Sequence, residues 1–138
     1  MLGDGTGGGG DAERQGRAPV TVLVVDDQES FRHALRELVL ATEGFALVGD
    51  ALSGEQALDA VDQLAPQMVI MDKRMPGIGG VEATRLLVSR HPELVVLLVS
   101  LEEPEPRITH SCGAAAFINK RDLSTSVLRQ VWRDHGHG

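Results

Sequence analysis

Five short apolar runs separated by amphipathic stretches constrain this chain more than any other feature. They are Val20–Val25, Phe45–Val48, Met68–Met71, Leu94–Val99 and Ala115–Ile118. A run of four to six apolar residues with no polar alternation predicts a strand buried on both faces, which is the situation in a parallel sheet. Between the runs, apolar residues recur at helical spacing. Phe31, Leu35, Leu38 and Val39 mark a helix from about Ser30 to Thr42, and Ala57, Leu58, Val61 and Leu64 mark a second. Ser53-Gly54-Glu55-Gln56 ahead of the second reads as a capping box, and Pro66 closes it. Val81 to Ser89 predicts a third helix. Pro104 and Pro106 limit the fourth to one or two turns. Leu123, Val127, Leu128, Val131 and Trp132 mark the last, with His135 and His137 expected beyond it in a frayed end.

Strands alternating with helices give an α/β fold with helices on both faces of a parallel sheet. Right-handed crossovers then favour a flavodoxin-like doubly wound (βα)5 architecture, with strand order 2-1-3-4-5 and a short or irregular fourth helix. A length of 138 residues suits one such domain, here placed at 19–134. Residues 1–18 are Gly-rich without apolar periodicity and read as a disordered tail, and 135–138 as a frayed terminus. The tail's GDGTGGGG lacks the Gly-Lys-Ser/Thr of a phosphate loop. A net charge of −7 with scattered basic residues argues against nucleic-acid binding by this chain. The single Cys112 fits a reducing, cytoplasmic setting, and no apolar run is long enough to span a membrane.

Function is legible where the runs stop. The first ends at Asp26-Asp27, the third at Asp72, the fourth at Ser100, and the fifth just before Lys120. In a parallel sheet these ends share one edge, so four strands deliver polar groups to one crevice. Two carboxylates 4 Å apart repel by about 4 kcal/mol at an effective dielectric of 20, and a divalent cation relieves the conflict. With only oxygen ligands on offer, Mg2+ or Mn2+ is expected rather than zinc. Lys120 and Ser100 beside that cation suit a phosphoryl group, and Asp72, flanked on both sides, is the candidate nucleophile.

The motifs VTVLVVDD, VIMDKRMPG, LLVS and AAFINK, in this order, resemble the receiver domain of two-component response regulators over about Val20 to Trp132. SGEQAL, RMPGIGGVEATRLL and CGAAAFINKRDL are most similar to receivers of LuxR-type transcriptional regulators. The resemblance implies that Asp72 is the phosphoacceptor. It implies that Asp26 and Asp27 hold Mg2+, Asp27 directly, with the main-chain carbonyl of Arg74 as a further ligand. Lys120 would contact the phosphoryl group and Ser100 would be the hydroxyl that moves toward it. Phe117 would stand at an aromatic switch position, a plain core aromatic being the equal alternative. A sensor histidine kinase would be the phosphodonor, phosphorylation would switch a partner or a transcription-related output, and a homodimer could form on phosphorylation. The chain would act on itself without being an enzyme in the usual sense.

Several positions depart from the family pattern. Leu101 stands where a small residue is usual, Gly79 replaces a capping Asp or Asn, and Lys73 is an unusual neighbour for the phosphoacceptor. The interval from Ser100 to Lys120 looks short for the family. The resemblance places Arg74, Leu101 and Glu102 at positions that would tune the phosphate's lifetime. Two unpaired surface charges is the favoured reading of Arg74 and Glu102; the competing one pairs them over the site against the attacking water. A degenerate receiver acting as a constitutive interaction domain stays open, as does, remotely, a Mg2+-dependent phosphohydrolase working through an aspartyl phosphate.

Overall fold

In a computed structural model of the chain, residues 18–136 are described; the Gly-rich segment 1–17, and His137 with Gly138, lie outside them. Five strands alternate with five helices: β1 (Val20–Val25), α1 (Glu29–Leu40), β2 (Phe45–Ala51), α2 (Gly54–Leu64), β3 (Met68–Asp72), α3 (Gly79–Arg90), β4 (Val95–Ser100), α4 (Pro106–Cys112), β5 (Ala116–Asn119) and α5 (Thr125–His135). All strand pairs are parallel, in the order β2-β1-β3-β4-β5. This is the flavodoxin-like topology that the alternation predicts.

Strand alternation sorts the apolar runs into two cores. Leu23, Val25, Val69, Met71, Val96 and Leu98 face α2 and α3, joined by Ala57, Val61, Ala83 and Leu87. Val22, Val24, Met68, Ile70, Val95, Leu97 and Val99 face the opposite way, onto Leu35 and Val39 of α1 and Leu128 and Val131 of α5. The three central strands are therefore buried almost throughout, apolar but for Thr21 and the closing Asp72 and Ser100, whereas edge strand β2 is only half-buried. The β1–β2 register slips by one residue between Val22 and Leu23, so β2 runs on to Ala51, three residues past the apolar run.

Local chemistry sets most of the helix ends. Ser53 Oγ accepts the N–H of Gln56 at 3.1 Å, as a capping box requires, but the Gln56 side chain reaches back to the N–H of Leu52 rather than that of Ser53. Ala65 takes a left-handed φ of 49° to end α2 ahead of Pro66, which disfavours helical backbone before it. Pro106 opens α4 where its missing N–H costs nothing, and seven residues later Gly113 ends the helix at φ 85°. The short fourth helix is thus a consequence of prolines. His135 is a correction: it closes α5 as its last residue rather than fraying beyond it, because the Gly136 N–H still bonds the Trp132 carbonyl at 2.7 Å.

Gly80 fixes how α3 meets the end of β3. Its N–H bonds the Lys73 carbonyl at 2.9 Å, and a Cβ there would stand 2.0 Å from the Asp72 carbonyl oxygen. Only glycine lets the helix start this close to the strand that carries Asp72. Gly79 beside it has φ 76° and caps nothing; the carboxylate of Glu55, on α2, instead accepts the N–H of Ile78 at 3.3 Å.

Candidate functional site

The carboxyl ends of β1, β3, β4 and β5 meet at one edge of the sheet. Asp72 pairs in register with Val99, and Ser100 with Asn119. Asp26 and Asp27 follow β1, and Lys120 opens a 3-10 turn directly after β5. One ligand oxygen from each of Asp26, Asp27 and Asp72 lies within 4.8 Å of the others. Asp26 and Asp72 are buried and Asp27 is exposed.

Lys120 Nζ is the cation of this cluster, 2.9 Å from Asp26 Oδ2 and 3.3 Å from Asp72 Oδ1. Asp26 Oδ1 accepts the N–H of Gln28 at 3.0 Å, which anchors the carboxylate at the start of α1. The Asp72 carboxyl is pushed up to about 6. Burial is the largest cause and the charge of Asp26 the next; Lys120 and the Arg74 N–H oppose them only in part. Three carboxylates around one ammonium leave an excess of negative charge, and every nearby donor is oxygen. That fits a hard divalent cation bound through oxygens. The Arg74 main chain is also at hand, its N–H directed to Asp72.

Ser100 reaches the same edge but is turned to its own loop. Its Oγ accepts the N–H of Glu102 at 3.1 Å, and among the described residues no hydrogen bond joins it to Asp72. Phe117 is buried on β5 within the core shared with α2 and α3. The ammonium of Lys73 stands 5.5 Å from its ring centroid.

Arg74 and Glu102 are not the two unpaired charges that the favoured reading expected. Arg74 Nε and Nη2 both lie 2.8 Å from Glu102 Oε2, and Lys73 Nζ lies 3.2 Å from Glu102 Oε1. One carboxylate therefore draws in both cations that follow Asp72. Hydrogen bonds from Arg74 and then Lys73 hold Glu102 below the usual carboxylate range, and the pairing raises Arg74 in turn. Arg74 is mostly exposed, whereas Lys73 is 14% exposed, so the bond at Lys73 is the better shielded of the two. Leu101 is 49% exposed.

Three residues beside the site were not singled out from the sequence. Asn119, buried at the end of β5, donates through Nδ2 to the carbonyls of Leu101 and Glu102 at 3.3 and 3.4 Å and ties down the loop after Ser100. Arg32, buried in α1, donates to the Asp26 carbonyl at 2.9 Å while pairing with Glu29 and, at 3.3 Å, with Asp50. Phe31 lies against Lys120. A polar residue closing the fifth apolar run was a readable hint for Asn119. The other two were read only as parts of an amphipathic helix.

Comparison with known proteins agrees with this geometry. Residues 22–131 match the response regulator receiver domain. The chain is 41% identical over 103 residues to the response regulator GacA of Pseudomonas viridiflava, covering 73% of this chain and 48% of the relative. It is 37% identical over 114 residues to the response regulator UvrY of Escherichia coli K12, covering 81% and 52%. Among solved structures, a LuxR-family two-component response regulator from Aurantimonas superposes with a TM-score of 0.74 at 25% identity, over 82% of this chain and 81% of that one. The response regulator domain of Thermotoga maritima CheB gives 0.73 at 27%, over 85% and 96%. The chain spans about half the length of the curated relatives it matches. With its parallel sheet, its acidic edge and its ammonium, this chain belongs to the receiver-domain family of two-component response regulators.

Proposed function

We propose that Asp72 accepts a phosphoryl group from a sensor histidine kinase, and that the product biases the loop after β4 together with α4. The observation that carries the reading is Lys120 held between Asp26 and Asp72, in a cluster of oxygen donors whose charge is only partly compensated. Near neutral pH most Asp72 carboxyls are ionised despite the upward push to about 6. An Asp72 Oδ attacks phosphorus, an acyl-phosphate O–P bond forms, and the N–P bond of the donor phosphohistidine breaks. The electron pair leaves with the imidazole, which takes a proton from solvent. Lys120 then follows the charge from the Asp72 carboxylate to a phosphoryl oxygen. Asp26, Asp27, Asp72 and the Arg74 carbonyl would hold Mg2+ (or Mn2+), which would supply positive charge against the phosphoryl oxygens.

The phosphoryl group adds about −1.5 to −2 charge at neutral pH. Ser100 Oγ, now an acceptor for Glu102 N–H, donates its own proton to a phosphoryl oxygen when it turns inward. That turn draws on the loop held by Asn119, Lys73 and Arg74, and Phe117 repacks beneath Lys73. The Arg74–Glu102 pair, with Leu101 beside it, slows the water that would hydrolyse the acyl phosphate. The chain is no enzyme with a separate substrate; it works in the cytoplasm, and phosphorylation promotes a homodimer or the switching of a transcription-related output. A constitutive interaction domain is the second reading, favoured by the grip on Glu102 that holds the Ser100 loop in place.

Intact mass after acetyl phosphate and Mg2+ tests the proposal. The wild type gains one phosphoryl group and Asp72→Ala gains none. A wild type that gains nothing leaves the constitutive reading standing.

A further inference from the structure

The chain contains two lysines, both beside Asp72 in the fold, and each lies over one of its three phenylalanines. Lys73 stands 5.5 Å from the Phe117 ring centroid, a loose approach. Lys120 stands 3.6 Å from the Phe31 centroid, in close contact, and its side chain is 9% exposed. An ammonium has three donors in a roughly tetrahedral spread. Here Asp26 Oδ2 at 2.9 Å and Asp72 Oδ1 at 3.3 Å take two directions, and the face of a ring closes another where water would otherwise sit. A desolvated cation against an aromatic face is held more firmly than one in solvent, since no water competes for it. Phe31 is supplied by the first turn of α1, and its neighbour Arg32 bonds the Asp26 carbonyl. One helical turn thus touches both ends of the Lys120–Asp26 pair.

We infer that Phe31 is a positioning residue for the phosphoryl transfer: its ring keeps the Lys120 ammonium dry and aimed at Asp72 while the cation passes from carboxylate to phosphoryl oxygen. The inference rests on the phosphoacceptor reading of Asp72. Leucine at position 31 keeps apolar bulk in the helix but has no π face. Lys120 then gains a water in place of the ring and spends less time aimed at Asp72. Tyrosine restores the face.

The test compares wild type, Phe31→Leu and Phe31→Tyr, each first confirmed folded by circular dichroism. The chain's two lysines give two resolvable Cε signals when it is grown with 13C-lysine. In the wild type the Lys120 Hε protons are displaced upfield by the ring current; Phe31→Leu abolishes the displacement and Phe31→Tyr keeps it. Phosphorylation by acetyl phosphate with Mg2+, followed by intact mass, slows about 3- to 30-fold in Phe31→Leu, the range that a cation–π contact spans, and recovers in Phe31→Tyr. A Phe31→Leu protein that loses the upfield shift yet is phosphorylated at the wild-type rate overturns the positioning role and leaves the phosphoacceptor reading intact. A wild type without the shift overturns it as well. A Phe31→Leu protein that fails to fold moves the decision to Phe31→Tyr, whose shift and rate must both match wild type. A wild type that gains no mass fails at the earlier step, and the phosphoacceptor reading falls with it.

Discussion

Replacing Asp72 by Asn should stabilise the protein when no metal is bound, and the gain should depend on pH. The Asp72 carboxyl sits at about 6 in the folded chain against 3.8 for a free one. Its folded value is raised, so between these two values the folded state binds the proton that the unfolded state has already lost. Stability from this group therefore falls as pH rises through that window and stays low above it. At about 1.4 kcal/mol for each unit, the full difference comes to about 3 kcal/mol. The Asp72 side chain is 8% exposed, so solvent screening takes little from that figure. Asparagine mimics the neutral carboxyl at every pH, and Lys120 still has Asp26 at 2.9 Å. Urea unfolding in EDTA at pH 8 should put Asp72→Asn about 2–3 kcal/mol above wild type, a midpoint shift of roughly 1–1.5 M for a slope near 2 kcal/mol/M. At pH 3.5 the two should come within a few tenths of a kcal/mol, because Asp72 is then mostly neutral in both states. Saturating MgCl2 at pH 8 should narrow the gap from the other side by stabilising the wild type more. A pH-independent difference, or an asparagine protein less stable at pH 8, would refute the account of charge crowded into a buried site.

Two further outcomes follow from named contacts. Arg74→Ala removes the exposed partner of Glu102 and should speed loss of the phosphoryl group about 2- to 5-fold, the modest scale of an exposed pair; identical dephosphorylation rates by mass spectrometry would show that the pair does not obstruct water. Gly80→Ala forces a Cβ to 2.0 Å from the Asp72 carbonyl oxygen, and chemical denaturation should show a loss of about 2–3 kcal/mol. Gly44→Ala, at φ 85° with nothing within 4 Å, is the matched comparison at about 1–2 kcal/mol, and a reversed order would mean that the α3–β3 approach is soft.

The sheet was readable because short, largely β-branched apolar runs alternate with amphipathic stretches. Val20–Val25, Met68–Met71 and Leu94–Val99 carry no polar residue except Thr21, so their type followed from the unbroken runs and their parallel pairing from the alternation with helices. β2 was readable only as far as Val48, since its later residues, Gly49 and Asp50, belong to a half-buried edge where a polar side chain is tolerated. The short α4 was readable from Pro104 and Pro106, whose effect is local. The positions of Asp26, Asp72, Ser100 and Lys120 followed from topology, because a parallel sheet brings the ends of its strands to one edge wherever they lie in sequence.

What stayed hidden is the set of partners each side chain takes once it reaches that edge. Nothing local to Glu102 says that it binds Arg74 and Lys73 together, since those cations enter from a different strand and their reach depends on how the β3–α3 turn runs. The pair was legible as a suggestion and its third member was not. Ser100 illustrates the same limit with more consequence. Its place at the end of β4 is dictated by the sheet, but its hydroxyl has two destinations, the Glu102 N–H and the neighbourhood of Asp72, and a strand-end position serves both. The structure occupies the first. Lys73, Arg74 and Asn119 all stabilise it by holding the Leu101–Glu102 segment. Under the proposed function, charge added at Asp72 has to displace the hold of these three side chains before the hydroxyl turns inward, so weakening that hold, as Arg74→Ala does, should ease switching.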